Sequence, residues 1–133
     1  MRAIDPCPCG SGDAFGRCCL PLHLGDREAE SAVQLMRARY SAYAVGDLDY
    51  VYRTWHPRTR PAELRPVDGL QWLGLRILDT AGGEPGDEQG EVEFVARHRM
   101  DGQDGALHER SRFVVRARRW CYLDGDEFGD ELA

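Results

Sequence analysis

Cys7, Cys9, Cys18 and Cys19 are four of the five cysteines of the chain, and they fall within thirteen positions as a CxC pair, eight residues and a CC pair. Thiolates this close suit a structural Zn²⁺, which takes four soft ligands in a tetrahedron, provided that the chain turns sharply between them. Gly10 and Gly12 permit that turn and Pro8 stiffens the link inside the first pair. Disulfides, loose thiols or a redox-active vicinal pair at Cys18-Cys19 are the competing readings. Four thiolates fill the coordination shell of zinc, so the site is expected to be structural, with no open position for water or substrate. Phe15, Leu20 and Leu22 look too few to make a core, so the metal is expected to order this segment.

A second group of reactive side chains emerges from the strand pattern farther along. Val92, Phe94, Ala96, His98 and Met100 alternate with a charged set, as do Leu107, Glu109, Ser111, Phe113 and Val115. Each apolar-biased set is assigned to the inner face of a sheet. Placing Phe94 opposite Phe113 brings His98 opposite Glu109. A two-residue turn at Ala117-Arg118 adds Tyr122 opposite Phe113 and Asp124 opposite Ser111. His98, Glu109, Ser111 and Asp124 then gather at the polar end of an otherwise apolar face. Glu109 or Asp124 could act as a base with His98 as partner, since apolar walls raise a carboxylate pKa. A merely structural cross-strand His–Glu pair explains the same residues at least as well. Trp55, His56 and Trp72 are candidates for the mouth of such a pocket, with core packing the plainer role for the two tryptophans and a helix end for His56.

These side chains need elements to hold them. Ser31 and Gln34 have the form of a capping box, and Val33, Met36, Tyr40 and Tyr43 make one apolar helical face that ends at Gly46. Asp47 caps a second short helix carrying Leu48, Val51 and Trp55, which stops before Pro57. Residues 57–69, with three prolines, read as a loop. Strands are expected at about 71–79, 89–100, 106–116 and 119–123, with Asp101–Gly105 as a connection. The fold class is therefore α+β. A curved antiparallel meander packs on an N-terminal helical hairpin, cone-like, with a small zinc knuckle in front. Residues 1–25 form the knuckle and a linker over Pro21–Asp26, and residues 26–133 the cone-shaped domain. Cys121, alone on the outer face opposite Val114, reads as an apolar filler.

Composition narrows the function. A formal net charge of −6 and a pI near 5.2 argue against nucleic acid or an anionic membrane as partner, because both need a basic footprint. No signal peptide or apolar span is apparent, so a cytoplasmic location, where thiols stay reduced, is expected. The basic turn Arg116-Ala117-Arg118-Arg119 reads as a solvated loop.

The segment CPCGSG, with Phe15 and Cys18-Cys19, resembles the SEC-C motif, a small zinc-binding module found at the end of the SecA translocation ATPase and in many bacterial proteins. The resemblance carries the ligand role onto Cys7, Cys9, Cys18 and Cys19. The loop departs from the motif in holding Asp13, Ala14 and Gly16 where lysines often stand. Leu35-Met36-Arg37-Ala38-Arg39-Tyr40, Thr54-Trp55-His56-Pro57, Trp72-Leu73-Gly74-Leu75, Phe94-Val95-Ala96-Arg97 and His108-Glu109-Arg110-Ser111-Arg112-Phe113 extend the likeness to the bacterial YchJ family. That resemblance implies an N-terminal SEC-C module on a domain of the nuclear-transport-factor-two-like fold, and an activity that is unknown. A second SEC-C motif is common at the far end of such proteins; here the tail Asp124–Ala133 is acidic and without cysteine.

Two functions from different classes follow as expectations. One is a binding or adaptor protein, whose zinc module offers a surface to a protein partner while the cone holds a small ligand or makes a homodimer. The other is an isomerase- or dehydratase-type enzyme using a carboxylate–histidine pair in the cone.

Overall fold

The structure, a computed structural model, describes residues 1–128; the last five residues of the acidic tail lie outside that range. After a 3₁₀ turn at Phe15–Arg17, the helices are α1 (Leu20–His23), α2 (Ala32–Val45) and α3 (Leu48–Arg53). The strands β1 (Leu70–Gly82), β2 (Gln89–Met100), β3 (Gln103–Arg116) and β4 (Arg119–Phe128) form one antiparallel sheet in sequential order. No described helix is long and apolar enough to cross a membrane.

The caps act as their residue types require. Ser31 Oγ accepts from Gln34 N at 3.2 Å, Gly46 takes the left-handed conformation at φ 82°, and Asp47 Oδ1 accepts from Tyr50 N at 3.1 Å. Helix α2 is covered on two sides. Met36 and Tyr40 meet the sheet side, while Ala38 and Ser41 meet the cysteine segment, and all four are buried. Of the expected face, Met36 and Tyr40 are buried but Val33 is half-buried and Tyr43 exposed, and the helix also buries Leu35, Ala38, Ser41 and Ala42.

The segment expected as a linker, Pro21–Asp26, is instead the helical turn α1 and its end. Leu22 and His23 are buried, and the His23 ring packs edge-on to Phe15 and against Tyr50. Its Nε2 bonds to Ala38 O at 2.8 Å, and Arg53 donates to His23 O at 2.6 Å. Cys7, Cys9, Phe15 and Leu22 thus share one core with Val51, Val92 and Phe113.

The inner face carries the residues assigned to it: Val92, Phe94, Ala96, Glu109, Ser111, Phe113 and Trp120 are all buried. The register between β2 and β3 is another matter. Phe94 lies opposite Glu109 and His98 opposite Gly105, four residues away from the expected pairing. The cause is the turn. Asp101 (φ 49°) and Gly102 (φ 82°) alone make a tight two-residue hairpin, so the strand resumes at Gln103 instead of Ala106. A slip of four leaves every side chain on its face, because the pleat repeats every two residues.

The second hairpin does turn at Ala117-Arg118, with Val115 opposite Trp120 and Phe113 opposite Tyr122. Beyond it a bulge places Leu123 as an extra residue, so Asp124 faces Arg112 and Gly125 faces Ser111. Further bulges at Leu73 and Leu78 in β1 add to the curl of the sheet. Ala117 and Arg118 hold φ of 52° and 66° without being glycine or asparagine. Replacing them by Asn-Gly is expected to stabilise the fold by about 1 kcal/mol, read from the urea midpoint at unchanged slope.

Candidate functional site

The four Sγ atoms of Cys7, Cys9, Cys18 and Cys19 lie within 4.8 Å of one another. Cys9 and Cys18 are 3.6 Å apart at sulfur, Cys18 and Cys19 3.9 Å. Tetrahedral Zn–S bonds of about 2.3 Å would set sulfurs about 3.8 Å apart, so this donor set fits a metal. The loop that gathers them closes through Cys7 N to Asp13 O at 2.9 Å, with Gly10 and Gly12 at φ 78° and 92°. Two hydroxyls reach the sulfurs: Ser11 Oγ lies 3.2 Å from Cys18 and Ser41 Oγ 3.5 Å from Cys7. Arg37 donates to Cys9 O at 2.7 Å, which ties the loop to α2. Such contacts fix ligand orientation in metal sites.

Between α2 and the inner face of the sheet lies a cavity of about 330 Å³. Of the residues picked out from the sequence, Trp55, Trp72, Glu109, Ser111 and Tyr122 line it. Glu109 Oε2 accepts from Ser111 Oγ at 2.5 Å and from Tyr122 OH at 3.1 Å, while Oε1 has no partner among the described residues. Phe94, Ala96, Leu107, Met36 and Tyr40 complete the apolar wall. Burial pushes the Tyr122 phenol well above its ordinary range, and the neighbouring Glu109 adds to this; burial likewise raises Tyr40. The Tyr122 phenol is thereby kept neutral, as a donor to Glu109.

Three candidates fall elsewhere. His98 sits over Gly105, where an added Cβ would come within 2.8 Å of its ring, and packs edge-on to Trp72 at 5.6 Å. The four-residue register difference separates it from Glu109. Asp124 is turned to the outer face by the bulge at Leu123 and pairs with Arg112. There Arg112 also pairs with Asp126, and Arg110 with Asp79, Glu91 and Glu93, so this face is an ion-pair lattice. His56 lies beyond the end of α3, not on it. Its N–H donates to Tyr122 O at 2.8 Å, docking the chain on β4, and the side chain is not part of the cavity wall.

The sequence reading passed over one cavity residue of consequence. Arg39 is 4 % exposed and lines the cavity between Trp55 and Tyr122, whose ring centres lie 5.1 and 4.6 Å from its Cζ. Its Nη1 donates to Val51 O and to Thr54 Oγ1, both at 2.8 Å. Burial lowers its pKa, with partial compensation from Tyr43, Tyr122, Tyr50 and Glu109. The signal was present: Arg39 is three residues after Met36, within the apolar stripe that runs to Tyr40 and Tyr43. The indole Nε1 of Trp55 is buried in the same wall and has no hydrogen-bond partner among the described residues.

Glu109 keeps its place because residue 125 has no side chain; an added Cβ would lie 2.7 Å from the Glu109 carboxyl carbon. Gly125→Ala is therefore expected to destabilise the protein by about 1–3 kcal/mol. Adding Glu109→Ala should return part of that loss, a coupling that a double-mutant cycle of urea unfolding measures directly.

The family model described as "YchJ, middle NTF2-like domain" matches residues 31–125, and the SEC-C motif model matches residues 5–21. The chain belongs to the YchJ family. Among its relatives is a UPF0225 protein of Deinococcus radiodurans, 51 % identical over 125 residues, which cover 93 % of this chain and 91 % of that one. Another, from Cupriavidus pinatubonensis, is 46 % identical over 94 % of this chain and 90 % of its own length. The fold is shared with a SEC-C motif containing protein from Rhodopseudomonas palustris solved in solution. That match has a TM-score of 0.82 at 37 % identity and covers 94 % of this chain and all of that one. A crystal structure of a SEC-C motif containing protein from Psychrobacter arcticus matches with a TM-score of 0.76 at 26 % identity, over 92 % and 82 % of the two chains. Each of these relatives matches this YchJ-family chain over more than nine-tenths of its length.

Proposed function

We propose that this YchJ-family chain is a small-ligand-binding protein whose cone is held in shape by a structural zinc. The observation that carries the reading is the cavity itself. Its wall is largely aromatic and aliphatic; of its two carboxylates Glu127 is exposed, and buried Glu109 has a free oxygen left to meet a ligand. Binding is better supported than turnover, because the carboxylate–histidine pair that an isomerase or dehydratase would use is not assembled. Zinc is the ion that four thiolates at this spacing fit best, and a cytoplasmic setting would keep those thiols reduced. Cys7, Cys9, Cys18 and Cys19 would hold it, and its contribution would be to fix the segment that packs behind α2, not to meet the ligand.

Tryptophan fluorescence tests the cavity, since Trp55 and Trp72 are in its wall. A neutral apolar probe such as phenethyl alcohol is expected to change the emission saturably. Ala96→Leu, which adds bulk to the buried floor at a residue 2 % exposed, should abolish the response. A response that never saturates, and is the same in Ala96→Leu, would refute the reading.

A further inference from the structure

The guanidinium of Arg39 is almost wholly withdrawn from water, yet no carboxylate among the described residues comes within 4 Å of it. Its hydrogen bonds are both made by Nη1, which leaves the Nε and Nη2 donors without an acceptor among the described residues. A buried arginine stays charged, and the loss of hydration costs several kcal/mol unless an anion and further hydrogen bonds replace the water. Two aromatic faces offset part of that cost. On the sheet Arg99, Arg110 and Arg112 pair with acids, while Arg76, Arg97 and Arg116, which pair with none among the described residues, are exposed and keep their hydration. The one arginine that lines the cavity does neither.

Glu109, on β3, lines the sheet side of the same cavity. Tyr122 joins the two, with its ring 4.6 Å from Arg39 Cζ and its hydroxyl 3.1 Å from Glu109 Oε2. A ligand with an acid group alone would satisfy Arg39 and leave Glu109 unanswered, with Glu127 opposite it at the exposed end of the cavity. A ligand that also carries a donor a few atoms away would satisfy both, with the donor on Glu109 Oε1. The rest of the wall, from Trp72, Phe94, Ala96 and Leu107, asks for an apolar body.

We infer that the cone binds a small organic acid with an aromatic or branched apolar body and an amino or hydroxyl group close to its carboxylate. Arg39 takes the carboxylate through its free donors, as the planar guanidinium fork is shaped to do. Glu109, held at its other oxygen by Ser111 and Tyr122, accepts from the amino or hydroxyl group. The inference rests on the ligand-binding reading of the cone and adds the chemistry of the ligand to it.

Isothermal titration of the full metal-loaded chain with four probes tests it: phenyllactate, phenylalanine, hydrocinnamate and phenethyl alcohol. Phenyllactate or phenylalanine is expected to bind at least about 10-fold more tightly than phenethyl alcohol, since hydrogen bonds to a buried charge are the strong ones. Hydrocinnamate, which has the acid but no donor, should fall in between. Arg39→Met should bring the acids down to the level of the alcohol while the alcohol itself is little changed. Arg39→Gln keeps a donor for Val51 O and serves the same purpose if the methionine variant does not fold. Alcohol binding as tight as the acids, in the native protein or with the acids unaffected by either variant, overturns the inference and leaves the ligand-binding cone standing. Failure of all four probes to bind at millimolar concentration overturns both.

Discussion

Removing the proposed zinc is expected to lower the unfolding temperature of the whole chain, by about 10 °C or more, and not only the order of the cysteine loop. Cys7, Cys9 and Cys19 are at most 5 % exposed, so without an ion the loop must bury either repelling thiolates or poorly solvated thiols. The same loop supplies Arg37 with its acceptor at Cys9 O and places Cys7 against Ser41. Loss of the loop therefore reaches α2, and α2 forms one wall of the cone. Structural zinc contributes about 10–16 kcal/mol of apparent binding energy in small peptides, against a total of about 5–15 kcal/mol for a whole domain. Even a quarter of that, about 3 kcal/mol, is a shift of about 10 °C in a domain of this size. Calorimetry with and without a chelator measures the drop, and native mass spectrometry should find one zinc per chain. Cys9→Ser should reproduce the loss and Cys121→Ser should not, because Cys121 is paired with Val114 in the sheet and is not one of the clustered cysteines. An unchanged transition after complete removal of metal, or fresh protein with four free thiols and well under one zinc, would show that the cluster is not a metal site.

What could be read from the chain divides by the range of the interaction. The cysteine cluster was legible because its ligands are neighbours in sequence and thiolate chemistry has few uses at that spacing. Ser31, Gly46 and Asp47 marked helix ends because each acts on backbone within four residues of itself. The inner faces of β2, β3 and the start of β4 followed from parity. Register did not, because a slip of four residues preserves parity and only the turn at Asp101-Gly102 decides it. That slip is why His98 looked like a partner for Glu109. Asp124 was lost in a similar way, since a bulge at Leu123 reverses the alternation without a mark in the hydrophobic pattern. Arg39 was hidden by the opposite fault: a stripe read for its apolar members passes over the one charged residue it buries. The outward Arg110 and Arg112 have acids opposite them because Glu91, Glu93, Asp124 and Asp126 share their face.

Residues 26–133 produced without the first 25 are expected to lack a cooperative unfolding transition. By composition the cysteine segment reads as an appendage, and the family models that match it and the cone are separate. Packing says otherwise. His23 fills the space between Phe15 and Tyr50, and its Nε2 reaches a carbonyl in the middle of α2. Ala38, Ser41 and Ala42 are fully buried. Truncation would open this side of α2, where Ala38 O loses its bond to His23 and Ser41 Oγ its contact with Cys7. Arg53 would lose its acceptor at His23 O, and Tyr50, 4 % exposed in the intact chain, would lose its aromatic neighbour. Several losses of about 1–3 kcal/mol each, together with the exposed apolar face of a central helix, exceed what a domain of this size holds in reserve. Circular dichroism melting of the truncated chain should show a broad slope, with dye binding typical of exposed apolar surface. A sharp transition within a few degrees of the full chain would show that the cone folds alone. The metal would then serve the knuckle only, and the shape of the cavity would not depend on it.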